Sequence, residues 1–173
     1  MTETKERKNN TEAANLQIVA YRPEYQTAFR SLNEQWISIL FKMEEADYKA
    51  LDQPKEYILD KGGAIVVALL DGEPVGVCAV IKMNDPDYDF ELAKMVVSPK
   101  ARGKNIGWLL GQAIIEKAKE LGCKKMYLES NTSLTPAINL YYKLGFKRVY
   151  GRPTPYERCD IQMELDLSNR SAE

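Results

Sequence analysis

The chain has 173 residues, of which 45% are hydrophobic and 28% are charged, and its formal net charge is −1. This composition is typical of one ordinary soluble domain, and it excludes the overall basic field that would recruit nucleic acid or an anionic membrane. The chain also lacks histidine, which excludes Ser-His-Asp and Cys-His catalytic groups and histidine-ligated metals. We therefore expect no metal site, no nucleic-acid partner, and proton transfer by carboxylate, tyrosine, cysteine, lysine or water.

The two ends of the chain are polar and lack an apolar period. We expect residues 1–15 to be a disordered N-terminal tail, residues 16–167 a single domain and residues 168–173 a polar C-terminal tail. The N-terminus has no apolar signal-peptide core and the longest apolar run is strand-sized, so we expect a cytoplasmic protein without a membrane partner. The three cysteines are far apart and odd in number, and each is interpreted as a small buried hydrophobic residue.

The first half of the domain is predicted to contain a strand, two helical stretches and three strands. Pro54 interrupts the second helical stretch, because proline cannot donate to the helical hydrogen-bond ladder. Asp71-Gly72 joins two apolar runs and is a strong hairpin signal. The predicted ranges are 16–21 for the first strand, 22–36 and 44–59 for the helices, and 64–70, 74–83 and 88–97 for three antiparallel strands.

The second half is predicted to contain a helix, a strand, a second helix and two strands. Gly122 and Gly145 follow the two helices, as is typical of residues that end a helix. The predicted ranges are 106–121 and 135–144 for the helices, and 125–129, 146–150 and 156–167 for the strands. This order of elements predicts a single α+β domain with a central mixed sheet.

The turn before the helix at 106–121 has the features of an anion site. A strand and a Ser-Pro break precede it, and it contains two glycines and two cations. Free backbone N–H groups and the helix dipole favour a phosphate group at such a point. An ordinary tight loop is the alternative, and the sequence matches neither a nucleotide P-loop nor a G-x-G-x-x-G motif. The residues predicted to bind phosphate are Arg102, Gly103, Lys104, Asn105, Ile106 and Gly107.

Two segments carry a resemblance to a known family. The segment VVSPKARGKNIGWLL resembles the acyl-donor loop of the GNAT superfamily of N-acetyltransferases, whose pattern is Arg/Gln-x-x-Gly/Ala-x-Gly/Ala. Arg102 and Gly107 match, and Asn105 stands where glycine is usual, a mild departure because asparagine tolerates positive φ. The segment TPAINLYYKLGFKRV resembles the family's A-x-x-L-Y-x-K-x-G-F motif. The family often has asparagine three residues before the alanine, Ala137, where this chain has Leu134.

The resemblance implies a GNAT-like fold, with a central mixed, mostly antiparallel sheet of about six to seven strands flanked by helices on both faces. It implies acetyl-CoA as cosubstrate, and direct transfer of the acetyl group in a ternary complex to a primary amine of a small molecule or peptide. The loop amides would hold the diphosphate of coenzyme A. The backbone of Met95, Val96 and Val97 would pair with the pantetheine arm and donate to the thioester oxygen. Asn131 and Ala137 are also expected to contact the cofactor.

Glu91 and Tyr141 are the candidate catalytic residues. An amine must lose a proton to attack, and Glu91, in the strand before the phosphate turn, is the candidate base. Strand alternation places it on one face with Ala93, Met95 and Val97. A solvated charge at the end of an acidic run is the alternative. Tyr141 matches the family's tyrosine and is the candidate acid for the leaving thiolate, against the alternative of a core aromatic residue.

Two neighbouring groups are disfavoured as catalysts. Tyr142 lies about 100° around the helix from Tyr141, so the two rings cannot face one sulfur atom. Cys123 follows a helix end and enters a buried strand, which favours packing over a nucleophilic role.

The identity of the acceptor stays open. The acidic run at 85–91 favours a cationic acceptor, whereas Arg158 favours a carboxylate. Other residues considered for acceptor contacts are Trp36, Phe41, Glu44, Ser130, Asn131 and Tyr156. The acyl chain length and the oligomeric state, including a homodimer, are also open.

Two other functions are alternatives to the enzyme. A non-catalytic sensor that binds acyl-CoA is the main alternative, and Leu134 in place of asparagine favours it. A nucleic-acid module is disfavoured, because the basic residues are sparse and interleaved with acids.

Overall fold

The computed structural model describes residues 14–168, so most of the tails predicted at residues 1–15 and 168–173 lies outside the described residues. The strands are β1 (Leu16–Ala20), β2 (Ala64–Leu70), β3 (Glu73–Lys82), β4 (Phe90–Val97), β5 (Lys125–Ser130), β6 (Lys147–Val149) and β7 (Ile161–Asp166). The helices are α1 (Gln26–Leu40), α2 (Glu45–Asp52), α3 (Ile106–Glu120) and α4 (Thr135–Leu144). Within residues 14–168, no helix combines the length and the hydropathy that a membrane crossing requires.

The seven strands form one mixed sheet in the order β1-β2-β3-β4-β5-β7-β6, in which only the β4–β5 pair is parallel. One hydrophobic cluster joins α1 and α2 to β2 and β3, and a second cluster joins α3 and α4 to the opposite face. The predicted α+β class, the strand number and the helices on both faces are therefore confirmed. The final strand is shorter than predicted, because the amide of Glu157 donates to Glu44 at 3.0 Å instead of joining the sheet.

The strands β4 and β5 part soon after they meet. They pair with each other only at Phe90–Met126 and Glu91–Tyr127. Beyond these residues a gap separates the two strands. On its other side β4 stays paired with β3, and their register shifts by one residue at Lys94, which has a left-handed φ of 54°. A β-bulge of this kind bends a strand and ends pairing locally. The fold thus opens a cleft in the middle of its sheet.

The bulge also corrects the predicted alternation along β4. Glu91 and Ala93 lie opposite residues of β3 on the α1 side, as predicted for a regular strand. Met95 and Val97 instead pack with the α3 cluster on the other face. The extra residue at Lys94 reverses the alternation beyond it, so the four side chains do not share one face.

The helices α3 and α4 approach each other closely at Gly111. A Cβ atom at this position would lie 2.6 Å from Cδ1 of Leu144, which is too short for any real contact. Glycine therefore allows the Leu144 side chain of α4 to pack directly on the backbone of α3. This contact matters for the site because α3 begins at the predicted phosphate turn and α4 carries Tyr141.

Candidate active site

The predicted phosphate turn, which we call the donor turn (residues 102–107), presents free backbone amides. Asn105 adopts the left-handed conformation with φ of 62°, and Gly103 has φ of 80°. Within the described part of the chain, no backbone N–H from Gly103 to Trp108 donates to a protein acceptor. These amides border a cavity of about 240 Å³. The arrangement can hold an anion at the start of α3, where the helix dipole favours negative charge.

This cavity continues into a larger cleft of about 510 Å³, and the two share Val97, Arg102, Gly107 and Leu140. A Cβ atom on Gly107 would lie 3.2 Å from Cδ2 of Leu140, so a side chain at this position would crowd the junction. The cleft occupies the gap between β4 and β5. One continuous space therefore runs from the donor turn into the middle of the sheet.

Most of the residues predicted to bind the cofactor surround this space. The residues that line one or both cavities are Met95, Val96, Val97, Arg102, Gly103, Asn105, Ile106, Gly107, Asn131, Ala137 and Tyr141. Lys104 is exposed and lines neither cavity, so only its backbone belongs to the turn. The Asn131 side chain is engaged within the protein, since its Nδ2 donates to the Arg158 carbonyl at 2.7 Å and its Oδ1 accepts from the Ser133 amide at 2.9 Å.

Tyr141 is buried in the wall of the cleft, and its neighbour Tyr142 is 49% exposed on a different face of α4. Gly145 ends this helix in a left-handed conformation and fixes its last turn. Burial raises the pKa of the Tyr141 hydroxyl above its ordinary value, since the charged phenolate would lose hydration. Tyr141 is therefore protonated at neutral pH, as an ordinary tyrosine is, and burial by itself makes it a weaker acid.

Glu91 and Glu129, which we call the acidic pair, line the cleft from β4 and β5. Burial, helped by the charge of Glu129, raises the pKa of the Glu91 carboxyl to about 7, although Lys94 acts in the opposite direction. Glu129 is held by neutral donors, because it accepts from the Tyr127 hydroxyl at 2.9 Å and from the Thr154 hydroxyl. A carboxyl that titrates near neutral pH is well matched to the role of a general base.

A group of buried and partly buried charges, which we call the ion cluster (Glu44, Asp47, Lys94 and Arg158), closes the α2 end of the cleft. Asp47 Oδ1 accepts from Lys94 Nζ at 2.6 Å and from Arg158 Nη2 at 2.6 Å, and Arg158 Nη1 also donates to Glu44 at 3.1 Å. Burial alone would raise the pKa of Asp47, but hydrogen bonds from Arg158 and the charge of Lys94 outweigh it and lower that pKa to about 2. The cluster contains two anions and two cations, so it is electrically balanced.

The ion cluster was not predicted from the sequence, and it changes the interpretation of Arg158. The guanidinium of Arg158 is engaged by Asp47 and Glu44, which leaves it poorly placed to clamp the carboxylate of an acceptor. One local signal was present, since Glu44 and Asp47 form a capping box at the start of α2. The remaining residues considered for the acceptor line the cleft, namely Trp36, Phe41, Ser130, Asn131 and Tyr156.

The cysteines do not provide a nucleophile. Burial raises the pKa of the Cys123 thiol to about 12, so the thiolate is scarce at neutral pH. Cys78 is fully buried in the sheet, as predicted. Cys159 differs from the prediction, because it is only half-buried and lines the cleft, where its thiol donates to the Ile161 carbonyl.

The chain is similar in sequence to several N-acetyltransferases. It is 33% identical over 120 residues to the uncharacterized N-acetyltransferase YjgM of Escherichia coli, an alignment that covers 68% of this chain and 72% of YjgM. It is 34% identical over 98 residues to an N-acetylaspartate synthetase of Xenopus tropicalis, with 57% of this chain and 36% of that protein covered. The chain therefore spans about a third of the length of the second relative.

Solved structures and a family profile agree with these relatives. A GNAT-family acetyltransferase from Staphylococcus aureus Mu50 superposes with a TM-score of 0.79 at 20% identity, covering 88% of this chain and 99% of that one. The structure of yncA from Salmonella typhimurium with its cofactor acetyl-CoA has a TM-score of 0.72 at 19% identity, covering 92% and 98%. The profile of the acetyltransferase (GNAT) family matches residues 19–146. Because this match extends over more than half of the sequence, the chain belongs to the acetyltransferase (GNAT) family.

Proposed function

We propose that this protein is an N-acetyltransferase that moves the acetyl group of acetyl-CoA to a primary amine by direct transfer in a ternary complex. The main support is that the unpaired amides of the donor turn border a cavity that continues into the cleft between β4 and β5. A pyrophosphate at the turn and a reactive thioester in the cleft would then belong to one extended molecule. When bound, acetyl-CoA supplies the activated acyl group.

Each part of the continuous space has a role toward this cosubstrate. The amides of residues 103–107 and the side chain of Arg102 hold the pyrophosphate. The backbone of Met95, Val96 and Val97, which β5 leaves unpaired on the cleft side, pairs with the pantetheine arm. One amide of this stretch stabilises charge on the thioester oxygen. Ala137 lines the cleft in α4, where its small side chain leaves room for the arm.

Two side chains move the protons that the reaction requires. The amine nitrogen bonds to the acyl carbon as the carbon–sulfur bond breaks. Glu91 accepts the proton that the amine loses, directly or through a water molecule, and Tyr141 gives its proton to the departing sulfur. An amine of pKa about 10.4 pays roughly 4–5 kcal/mol to become neutral at pH 7, so a base with a pKa near 7 is a better match than an ordinary carboxyl.

The charge of the cleft favours a cationic acceptor over an acidic one. Lys94 and Arg158 are paired with anions within the ion cluster. In the acidic pair, Glu129 accepts hydrogen bonds from two neutral hydroxyls, and the charge of Lys94 lowers the pKa of Glu91 without outweighing burial. An amine that carries a second positive charge would relieve the repulsion between the two carboxyls. The relatives named N-acetylaspartate synthetase make a product of an acidic amino acid, so we infer that this chain differs from them in its acceptor.

The proposal is tested by measuring donor binding and turnover separately. Acetyl-CoA at a hundredfold excess over its Kd should stabilise the protein by about 2.7 kcal/mol in thermal unfolding. Thiol release should then follow when diamines, polyamines or lysine esters are added, and aspartate should be a poor acceptor. Binding without turnover across the whole panel would favour the acyl-CoA sensor instead. Absence of stabilisation at millimolar acetyl-CoA would overturn the proposal.

A further inference from the structure

Lys94 occupies an unusual backbone position at the point where the cleft opens. Its φ of 54° is left-handed, a region that a long side chain rarely adopts outside turns. The residue lies at the register shift between β3 and β4, after the last pairing of β4 with β5. Strained residues of this kind persist only when the surrounding structure holds them in place.

The side chain of Lys94 is held by the ion cluster. Its Nζ donates to Asp47 Oδ1 at 2.6 Å and lies 3.2 Å from the hydroxyl oxygen of Tyr156. The Lys94 side chain is only 6% exposed and that of Asp47 is fully buried. Asp47 is itself fixed, because its Oδ2 accepts from the Glu44 amide at 2.9 Å and from Arg158 Nη1 at 2.8 Å.

The backbone of Lys94 is held from the opposite direction. Its carbonyl accepts from Nδ2 of Asn33 at 3.4 Å, a long hydrogen bond. Asn33 is fully buried in α1, and the same nitrogen donates to the Phe29 carbonyl at 2.9 Å. Both helices on this face of the sheet therefore hold Lys94. Asn33 of α1 binds the Lys94 carbonyl, and Asp47 of α2 binds the Lys94 ammonium group.

We propose that Lys94 is a positioning residue, whose buried ion pair with Asp47 holds β4 in the bulged conformation that turns Met95, Val96 and Val97 toward the donor. This inference rests on the proposed function, since it assigns the bulge a purpose in acetyl transfer. Lys94 lines the cleft, but its side chain is only 6% exposed and its ammonium group donates to Asp47 and Tyr156, so we assign it no direct contact with the substrate. Its effect on the reaction passes through the backbone.

Glycine provides a specific test, because it adopts a left-handed φ without the steric cost that alanine carries. Lys94→Ala removes the ion pair with Asp47 and keeps the steric cost of the left-handed φ. Lys94→Gly removes the same ion pair and also relieves that steric cost. Lys125→Ala is the matched control, since Lys125 on β5 also pairs with a carboxylate, Glu164 at 3.2 Å, but does not line the cleft. Each variant is measured for thermal unfolding, for the Kd of acetyl-CoA and for kcat with the best amine of the panel.

We expect Lys94→Ala to lower kcat by about 100-fold, the scale of losing one backbone donor to the reacting oxygen, with the Kd of acetyl-CoA changed less than about threefold. Lys94→Gly should recover at least about tenfold of that loss. Lys125→Ala should leave kcat unchanged. Equal losses for the alanine and glycine variants would show that the ammonium acts directly, and unchanged kcat in both would show that the bulge does not need it. Either result overturns the inference.

A second readout does not depend on finding an acceptor. In ¹⁵N–¹H spectra of the free protein, the amide signals of residues 95–97 should move in Lys94→Ala and stay near their wild-type positions in Lys94→Gly. If Lys94→Ala fails to fold, the double variant Lys94→Met with Asp47→Asn removes both buried charges together and should show the same movement of these signals. A wild-type protein that binds acetyl-CoA but acetylates no amine would refute the proposed function, while the spectra would still decide the role of Lys94.

Discussion

The two halves of the cleft are built from different kinds of group. The donor half comprises the donor turn and the first residues of α3. It relies on backbone amides, on Gly107, which lies close to Leu140, and on Asn105 in the left-handed conformation. The acceptor half relies on buried and partly buried side-chain charges from the acidic pair and the ion cluster. These charges come from α2, β4, β5 and the segment before β7.

This difference has a physical consequence for how each half responds to change. A backbone site keeps its donors when most side chains are replaced, and it fails when a side chain enters its space. A site of buried charges depends on every partner and on pH, because an unmatched buried charge is costly. Substitutions that add volume without changing charge, or remove charge without changing volume, therefore test whether the two halves work as described.

The largest effect is expected from filling the donor half. Gly107→Val adds a branched side chain where a Cβ atom already lies 3.2 Å from Leu140 Cδ2. We expect acetyl-CoA to bind at least about 100-fold more weakly by calorimetry, which corresponds to about 2.7 kcal/mol. Gln112→Val places the same side chain at an exposed position of α3 and should bind normally. Equal loss in both variants would mean that valine in the helix, and not the filled cavity, is responsible.

The next effect concerns proton donation. Tyr141→Phe should lower kcat by about 100-fold, because general acid catalysis typically contributes a factor of that order or more. The Kd of acetyl-CoA should stay unchanged. Tyr142→Phe, one residue away and half exposed, should retain full activity. An unchanged kcat in Tyr141→Phe would remove this hydroxyl from the mechanism.

Glu91→Gln separates the pH dependence of activity from that of stability. The pKa of Glu91 is raised to about 7, so the wild type should gain kcat/KM as pH rises through 7, and the variant should lose this dependence. The folded state binds more protons than the unfolded state between pH about 4.5 and 7, so this group destabilises the wild type as pH rises. In urea unfolding, Glu91→Gln should be more stable than wild type by about 3 kcal/mol at pH 8 and equal to it near pH 4. The opposite order of stability at pH 8 would contradict a buried Glu91.

Asp47→Asn should have the reverse pH dependence. The pKa of Asp47 is lowered to about 2, so its stabilising contribution is present above its ordinary value near 3.8 and is lost as pH falls toward 2. We expect a loss of about 2 kcal/mol in the free energy of unfolding at pH 7, shrinking below pH 4. Asp52→Asn, in the same helix, removes an exposed partner of Arg30 and should change stability by less than about 1 kcal/mol. A deficit that stays constant down to pH 2.5 would contradict the assigned pKa.

The smallest effect is expected at Asn105. Asn105→Ala should destabilise the protein by about 1 kcal/mol, because alanine is strained at a φ of 62°. Asn105→Gly should stay within about 0.5 kcal/mol of wild type and bind acetyl-CoA normally, since it keeps the backbone N–H. Chemical denaturation of both variants would measure the difference. Weak donor binding in the glycine variant would show that the asparagine side chain itself contributes.

The conformation of the donor turn and the ends of α4 were largely accessible from the sequence, and the ion cluster was not. The positive φ of Asn105 is one that asparagine tolerates, and the boundaries of α4 and its end at Gly145 followed from local pattern. The left-handed bulge at Lys94 has no such signal, because lysine does not favour that conformation. Its partner Asp47 is 47 positions away along the chain, and Asp47 and Arg158 are 111 positions apart, so only the completed fold brings these charges together.

The same limit explains the error along β4. Strand alternation is a local rule, and it placed Met95 and Val97 beside Glu91. One inserted residue reverses every later side chain, and the insertion is stabilised by helices that local pattern cannot relate to the strand.

The glycine at position 111 affects the distance between the two ends of the site, the start of α3 and Tyr141. Since the Leu144 side chain of α4 packs directly on the backbone of α3 at this glycine, the contact contributes to the span from the start of α3 to Tyr141. A carrier whose flexible arm matched that span would deliver its sulfur to the phenol, and a shorter carrier would stop short of it. A single methyl group at this contact would change that distance without contacting the donor turn or Tyr141.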